Sequence, residues 1–251
     1  MQPSNQLRVD QGELKVAPDA AALMTAAMQE FVQCAEKAIA ANRAFSVALS
    51  GGNTPRSVFS LLAEKYKDSL PWTMIHIFFG DERHVPPDDP ESNYRMARES
   101  LLSKVPIPEQ NVHRVHAELP AQQAASEYEQ QLRSYFHFAN NDRPRFDLIM
   151  LGVGEEGHTA SLFPDSTALH EQARLVVANW VEKFHTWRIT FTFPVLNQAA
   201  EVLFLASGAG KAEILKNIFD VHIKNAYPAQ LVRPTDGRLL WLIDQAAAAL
   251  L

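Results

Sequence analysis

Residues 45–63 read FSVALSGGNTPRSVFSLLA. Phe45 to Leu49 is a brief apolar run of the kind found in strands buried on both faces. Ser50-Gly51-Gly52 interrupts it, and Thr54-Pro55 then supplies an N-cap residue and a first-turn proline for a helix through Ala63. The stretch therefore predicts strand, glycine turn and helix in that order.

The same order recurs along the chain. MIHIFFG (74–80) leads to Asp81-Glu82-Arg83, and FDLIMLGVG (146–154) leads to a second glycine-rich turn. EVLFLASG (201–208) precedes a helix from Ala209 to Phe219, and RLLWLID (238–244) precedes a terminal alanine helix. Towards the N-terminus, Leu7 to Val16 suits a hairpin and residues 19–42, rich in Ala, Leu, Met and Glu, suit a long helix. Wholly apolar strands alternating with helices predict an α/β fold, a Rossmann-like parallel sheet with helices on both faces. Functional groups are then expected at the carboxyl ends of the strands. With 251 residues, 47% of them hydrophobic, and no repeat or dividing linker, residues 1–251 are expected to form one domain.

Charge narrows the partners. The chain has 23 basic and 29 acidic residues, a net charge of -6, which argues against nucleic acid or anionic membrane as partner. A small anionic substrate would have to be held by local positive groups. The single cysteine, Cys34, cannot form an intramolecular disulfide, and no apolar run approaches the roughly 20 residues of a bilayer span. The N-terminal MQPSNQLRVD has no secretory pattern, so a cytoplasmic protein is expected.

Ser50-Gly51-Gly52-Asn53-Thr54-Pro55 lies where free backbone N–H groups and the positive end of a helix favour an anion. Gly51, Gly52 and Thr54 are therefore phosphate candidates. Gly152-x-Gly154-x-x-Gly157 spells the dinucleotide fingerprint, but Pro164 follows too soon for the required helix, so a functional loop is the better reading. That loop presents His158 at the mouth of a strand. Asp81-Glu82-Arg83 places two carboxylates and a guanidinium at the same edge, where Arg83 can grip an oxyanion and Asp81 can orient a neighbour. Lys211 follows Gly208-Ala209-Gly210 and sets an ammonium beside a helix start. No histidine pair has metal-ligand spacing with acidic or cysteine partners, so neither a metal nor another cofactor is expected.

Six segments occur in one order: SGGNTP (50–55), GDERHVPPDDPESNYRMA (80–97), GVGEEGHTASLFP (152–164), RITFTFPVLN (188–197), GAGKAEIL (208–215) and PAQLVRP (228–234). Over nearly the full chain this resembles the 6-phosphogluconolactonase family. The resemblance implies the fold of the sugar-phosphate isomerase and CoA-transferase group, and hydrolysis of 6-phospho-D-glucono-1,5-lactone, the second step of the oxidative pentose phosphate pathway. It maps the family's base onto His158 and its paired Asp and Arg onto Asp81 and Arg83. Glu156 stands where the family usually has Asp and is a further catalytic candidate. Gly51, Gly52, Thr54, Arg83 and Lys211 remain the substrate-binding set, with Arg83 not divided between its two jobs. The related glucosamine-6-phosphate deaminases make deamination the first alternative, but they carry a loop resembling GxNGHIAFNEP where this chain has GHTASLFP, which favours the lactonase reading. A sugar-phosphate sensor without catalysis is the second. A monomer or weak homodimer is expected.

Overall fold

The computed structural model describes residues 6–9, 12–41, 43–137, 142–220, 222–223 and 227–251. Its first half runs β1 Gln6–Val9, β2 Gly12–Ala17, α1 Ala20–Ala40, β3 Phe45–Leu49, α2 Asn53–Tyr66, β4 Ile75–Phe79, β5 Asp81–Arg83 and α3 Asn93–Ala97. The remainder is α4 Ala121–Phe136, β6 Leu148–Gly152, β7 Val176–Val181, β8 Thr186–Phe191, α5 Phe193–Leu196, β9 Glu201–Ala206, α6 Ala212–Phe219 and β10 Arg238–Asp244. Seven strands form the main sheet in the order β1-β2-β10-β9-β6-β3-β4. Every pairing in it is parallel except the β1–β2 hairpin.

In-register neighbours in a parallel sheet point the same way, so ring contacts show which helix covers which face. Phe45 of β3 packs edge-on against Phe31 of α1, with centroids 5.3 Å apart. From the opposite face, Phe78 of β4 meets Phe136 of α4, and Trp241 of β10 meets Phe219 of α6. Phe204 stacks on Trp241 across the β9–β10 pair at 3.8 Å. Helices thus cover both faces, as the uniformly apolar strands require. Each large ring withdrawn from water contributes about 1.5–3 kcal/mol.

The sequence reading needs correction at several points. Helix α2 starts earlier than Thr54 and runs past Ala63: Gly52, at φ 104°, is its N-cap, and Pro55 sits inside the first turn. The helix expected from Ala209 opens with a 3-10 turn, Ala209–Lys211, before α6. After β10 the alanines form successive turns and no helix. Asp244 accepts from Ala247 N there, and a segment this short cannot offset the cost of nucleating a helix. The expected helix 19–42 is α1, capped by Asp19 accepting from Ala22 N; position 42 and hairpin positions 10 and 11 lie outside the described residues.

The larger departure is a second sheet, β5-β8-β7, which is wholly antiparallel. Asp81-Glu82-Arg83 is one of its strands, with Asp81 and Glu82 buried. Phe191 N donates to Gly80 O at 2.9 Å, joining the small sheet to the end of β4.

Candidate active site

The loop after β6 is shaped around one imidazole. Its chain folds back through Gly154 N to His158 O (2.9 Å), Gly157 N to Gly154 O (3.0 Å) and Thr159 Oγ1 to Gly152 O (2.9 Å). A Cβ at Gly154 would stand 2.0 Å from His158 Nδ1 and Cε1, so the ring lies flat against a position that only glycine can occupy. Gly157 is in the left-handed region, φ 76°, with the Tyr227 ring against it, and its carbonyl accepts from Ala229 N at 3.0 Å. The PAQLVRP segment therefore braces the loop. The imidazole also stacks on Phe163, with centroids 4.1 Å and planes 21° apart.

Two carboxylates serve the histidine in different ways. Glu156 Oε2 lies 3.0 Å from His158 Nδ1, close but off the line of a hydrogen bond, leaving that buried nitrogen without a donor–acceptor partner. Asp81 does not bond the ring. Its Oδ2 accepts from Ser161 Oγ at 2.6 Å, and Asn93 Nδ2 donates to its backbone oxygen at 2.9 Å and to Oδ1 at 3.3 Å. Burial pushes His158 below the usual histidine value, against the opposing pull of Glu156 and Asp81, with Lys211 also favouring the neutral ring. Burial alone would raise Glu156, but the Lys183 hydrogen bond and the His158 contact hold it at about 2. At neutral pH the pair therefore consists of a neutral imidazole and an ionised carboxylate.

Asn93 links this cluster to the first glycine turn, since a Cβ at Gly51 would fall 2.0 Å from Asn93 Oδ1. Glu82 fixes Asn93: its carboxylate accepts from the backbone N–H groups of Arg83, Asn93 and Tyr94 and from Ser92 Oγ, capping α3. At the turn itself Gly52 offers α2 no side-chain cap, and Ser50 Oγ is buried without a partner. The first turn of α2, including Thr54, thus keeps backbone donors for a ligand.

Three cations complete the site. Arg83 donates to Glu91 O at 2.7 Å, and Arg188 stands directly opposite it in the β5–β8 register. Arg188 is buried, 9% exposed, yet its Nε and Nη1 have no hydrogen-bond partner. Burial and then Arg83 lower its proton affinity, while Asp81 acts in the other direction. Lys211, the N-cap of α6, makes no side-chain ion pair among the described residues and is within electrostatic reach of His158. Asp244 holds the preceding turn by accepting from Gly208 N and Ser207 Oγ.

Of the residues singled out in the sequence, Asp81, Glu156, His158 and Lys211 converge. Gly51 joins them through Asn93, Gly52 and Thr54 through the start of α2, and Arg83 through its place beside Asp81. Arg188, Asn93 and Ser50 were missed as site residues. A signal for Arg188 was present: in TWRITF (186–191) a charged residue alternates with Trp187, Ile189 and Phe191, and so falls on the other face of a strand.

A parallel α/β sheet with an imidazole–carboxylate pair, an uncapped helix start and unpaired cations at its strand ends defines an enzyme class acting on small anionic substrates. The family described as glucosamine-6-phosphate isomerases/6-phosphogluconolactonase matches residues 18–241, and the chain belongs to it. The 6-phosphogluconolactonase of Nostoc sp. is 41% identical over 239 residues, 94% of this chain and 97% of that protein. The human 6-phosphogluconolactonase is 41% identical over 251 residues, 96% of this chain and 94% of its own. The solved 6-phosphogluconolactonase of Trypanosoma cruzi superposes with a TM-score of 0.87 at 30% identity, covering 98% of both chains.

Proposed function

We propose that this protein hydrolyses 6-phospho-D-glucono-1,5-lactone to 6-phospho-D-gluconate, the second step of the oxidative pentose phosphate pathway. Besides the function named for its relatives, the observation that carries this reading is Arg188, a buried guanidinium with two unpaired donor nitrogens in the strand pair that also holds Asp81 and Arg83. Buried donors without acceptors are costly, and a phosphate offers the guanidinium both charge and bidentate acceptors. Arg188, Lys211 and the Gly51–Thr54 turn form the phosphate grip in this reading, with Arg83 shared between phosphate and oxyanion.

With Glu156 facing Nδ1, His158 Nε2 is the atom available to a water molecule. It takes a proton as the water oxygen bonds to the lactone C1, a general-base contribution on the order of 10²–10⁴ in rate. The carbonyl oxygen becomes an oxyanion, which Arg83 and loop N–H groups stabilise by a further ~10²–10³. Collapse of the intermediate breaks the bond from C1 to the ring oxygen. The leaving oxygen takes the proton from the imidazolium, giving the C5 hydroxyl and a free acid. Ser161 acts as the clamp on Asp81 and not as a nucleophile, and no cofactor enters the scheme.

A lactonase assay on fresh lactone, with spontaneous hydrolysis subtracted, tests this. Wild type is expected to accelerate hydrolysis, and His158→Ala to lose on the order of 10² or more in kcat with little change in binding. A wild-type rate no faster than the background would sink the reading, and ammonia release from glucosamine 6-phosphate would transfer it to the deaminases. In calorimetry, Lys211→Ala is expected to weaken 6-phosphogluconate far more than gluconate; equal losses would remove Lys211 from the phosphate grip.

Residues 1–251 are taken as one domain because β10 inserts between β2 and β9, joining the two ends of the chain in one sheet. A monomer or weak homodimer suits a described surface whose exposed large hydrophobic side chains are Trp180, Phe184, Leu250 and Leu251. A cytoplasmic location suits a single cysteine whose thiol is pushed up by burial and is therefore unreactive. No described helix is long and apolar enough to cross a membrane.

A further inference from the structure

The tip of the β7–β8 hairpin is a 3-10 turn, Glu182–Phe184, closed by His185 in the left-handed region at φ 48°. Two side chains reach from it to the histidine loop. Lys183 Nζ is 2.9 Å from Glu156 Oε1, the oxygen that does not face the imidazole. Phe184 packs edge-on against Phe163 at 5.9 Å and 79°, and Phe163 is the ring stacked on His158. Glu156 is thus a bridge, with one oxygen on the hairpin and the other 3.0 Å from His158 Nδ1.

We propose that Lys183 is a positioning residue for His158: by holding Glu156 Oε1 it fixes the direction of Oε2 and, through it, the imidazole. The inference rests on His158 being the general base. An exposed lysine–carboxylate pair ordinarily contributes little, and the Lys183 side chain is 57% exposed. This pair differs because the Glu156 side chain is only 26% exposed and its second oxygen meets the reacting residue. Of its two oxygens only Oε2 faces the ring, so rotation of an untethered Glu156 changes what His158 meets. The charged groups facing the histidine are Glu156, Asp81 and Lys211; those facing Lys183 are Glu156 and Glu155.

The test is NMR titration of the His158 ring, with steady-state kinetics, in wild type, Lys183→Met and Lys183→Arg. Without the ammonium, Glu156 is free to turn Oε2 away from Nδ1, and the imidazolium loses the carboxylate that favours it. In Lys183→Met the His158 midpoint is therefore expected to fall by about half a pH unit, whereas a lysine acting by its charge alone would make it rise. From the loosened ring, kcat is expected to fall about three- to tenfold, with KM within about twofold. Lys183→Arg is expected to restore both. An unchanged or raised midpoint in Lys183→Met, or no recovery with arginine, overturns the proposal. His158→Ala is assayed in parallel: wild-type kcat in that variant would remove the base assignment, while the titration would still decide whether Lys183 acts on the imidazole.

Discussion

Gly154→Ala isolates the imidazole's position from almost everything else in the site. The added Cβ would stand 2.0 Å from His158 Nδ1 and Cε1, whereas ordinary contact begins at 3.4 Å, so the ring must retreat by about 1.4 Å (3.4 minus 2.0). Phe163, stacked on the ring at 4.1 Å, and Glu156, 3.0 Å from Nδ1, are both in contact with the ring that has to move. Misplacement of a reacting group by ~1 Å can cost 10²-fold, so kcat is expected to fall on the order of 10² or more. The substitution touches neither Arg188 nor Lys211, and binding of 6-phosphogluconate by calorimetry is expected to stay within about threefold. Overpacking of this kind costs typically 1–3 kcal/mol. By the size scaling of thermal unfolding, that lowers Tm by roughly 2–12 °C and leaves the protein folded at assay temperature. A variant with kcat within threefold of wild type, on fresh lactone with background subtracted, would refute the claim that the ring position seen here is the reacting one.

Arg188→Met should separate stability from function, since it removes a buried cation with two unpaired donors: Tm is expected to rise by roughly 2–4 °C, for about 1 kcal/mol gained, while 6-phosphogluconate affinity falls at least tenfold. A loss of both would mean that the guanidinium has a structural partner role. The pH profile follows from the downward shift of His158: the base must be neutral, neutrality is lost as pH falls through its folded-state value, and burial sets that value below ~6.5. The acid limb of kcat/KM is therefore expected to have its midpoint below pH ~6.5, and a midpoint above it would contradict the buried imidazole.

The sequence made the main sheet legible because its strands are apolar on both faces and their glycine turns stop them sharply. The smaller sheet was hidden for the opposite reasons. β5 has three residues, all charged, and its pairing with β8 spans more than a hundred positions, so neither periodicity nor local turn chemistry announces it. The start of α2 was misplaced because Thr54-Pro55 is a good local cap, yet the positive φ of Gly52 turns the chain earlier. The glycines of the 152–157 loop were visible as letters, but their purpose was not. Gly154 makes room for His158 and Gly157 for Tyr227, which explains a dinucleotide-like spelling with no dinucleotide-type helix behind it. Arg188 stayed hidden because what marks it, two buried donors without acceptors, exists only once β5 and β8 have met.

The strand order has a consequence for the birth of the protein. The β1–β2 hairpin is synthesised first, yet its place in the sheet is against β10, which is synthesised last, and β10 in turn covers the open side of β9. On the ribosome, the N-terminal hairpin must wait for residues 238–244, and until they emerge β9 presents an unpaired parallel edge. Such edges recruit other chains. A stalled or truncated product ending before β10 is therefore expected to aggregate, which places the sheet's most vulnerable moment between the emergence of β9 and that of β10.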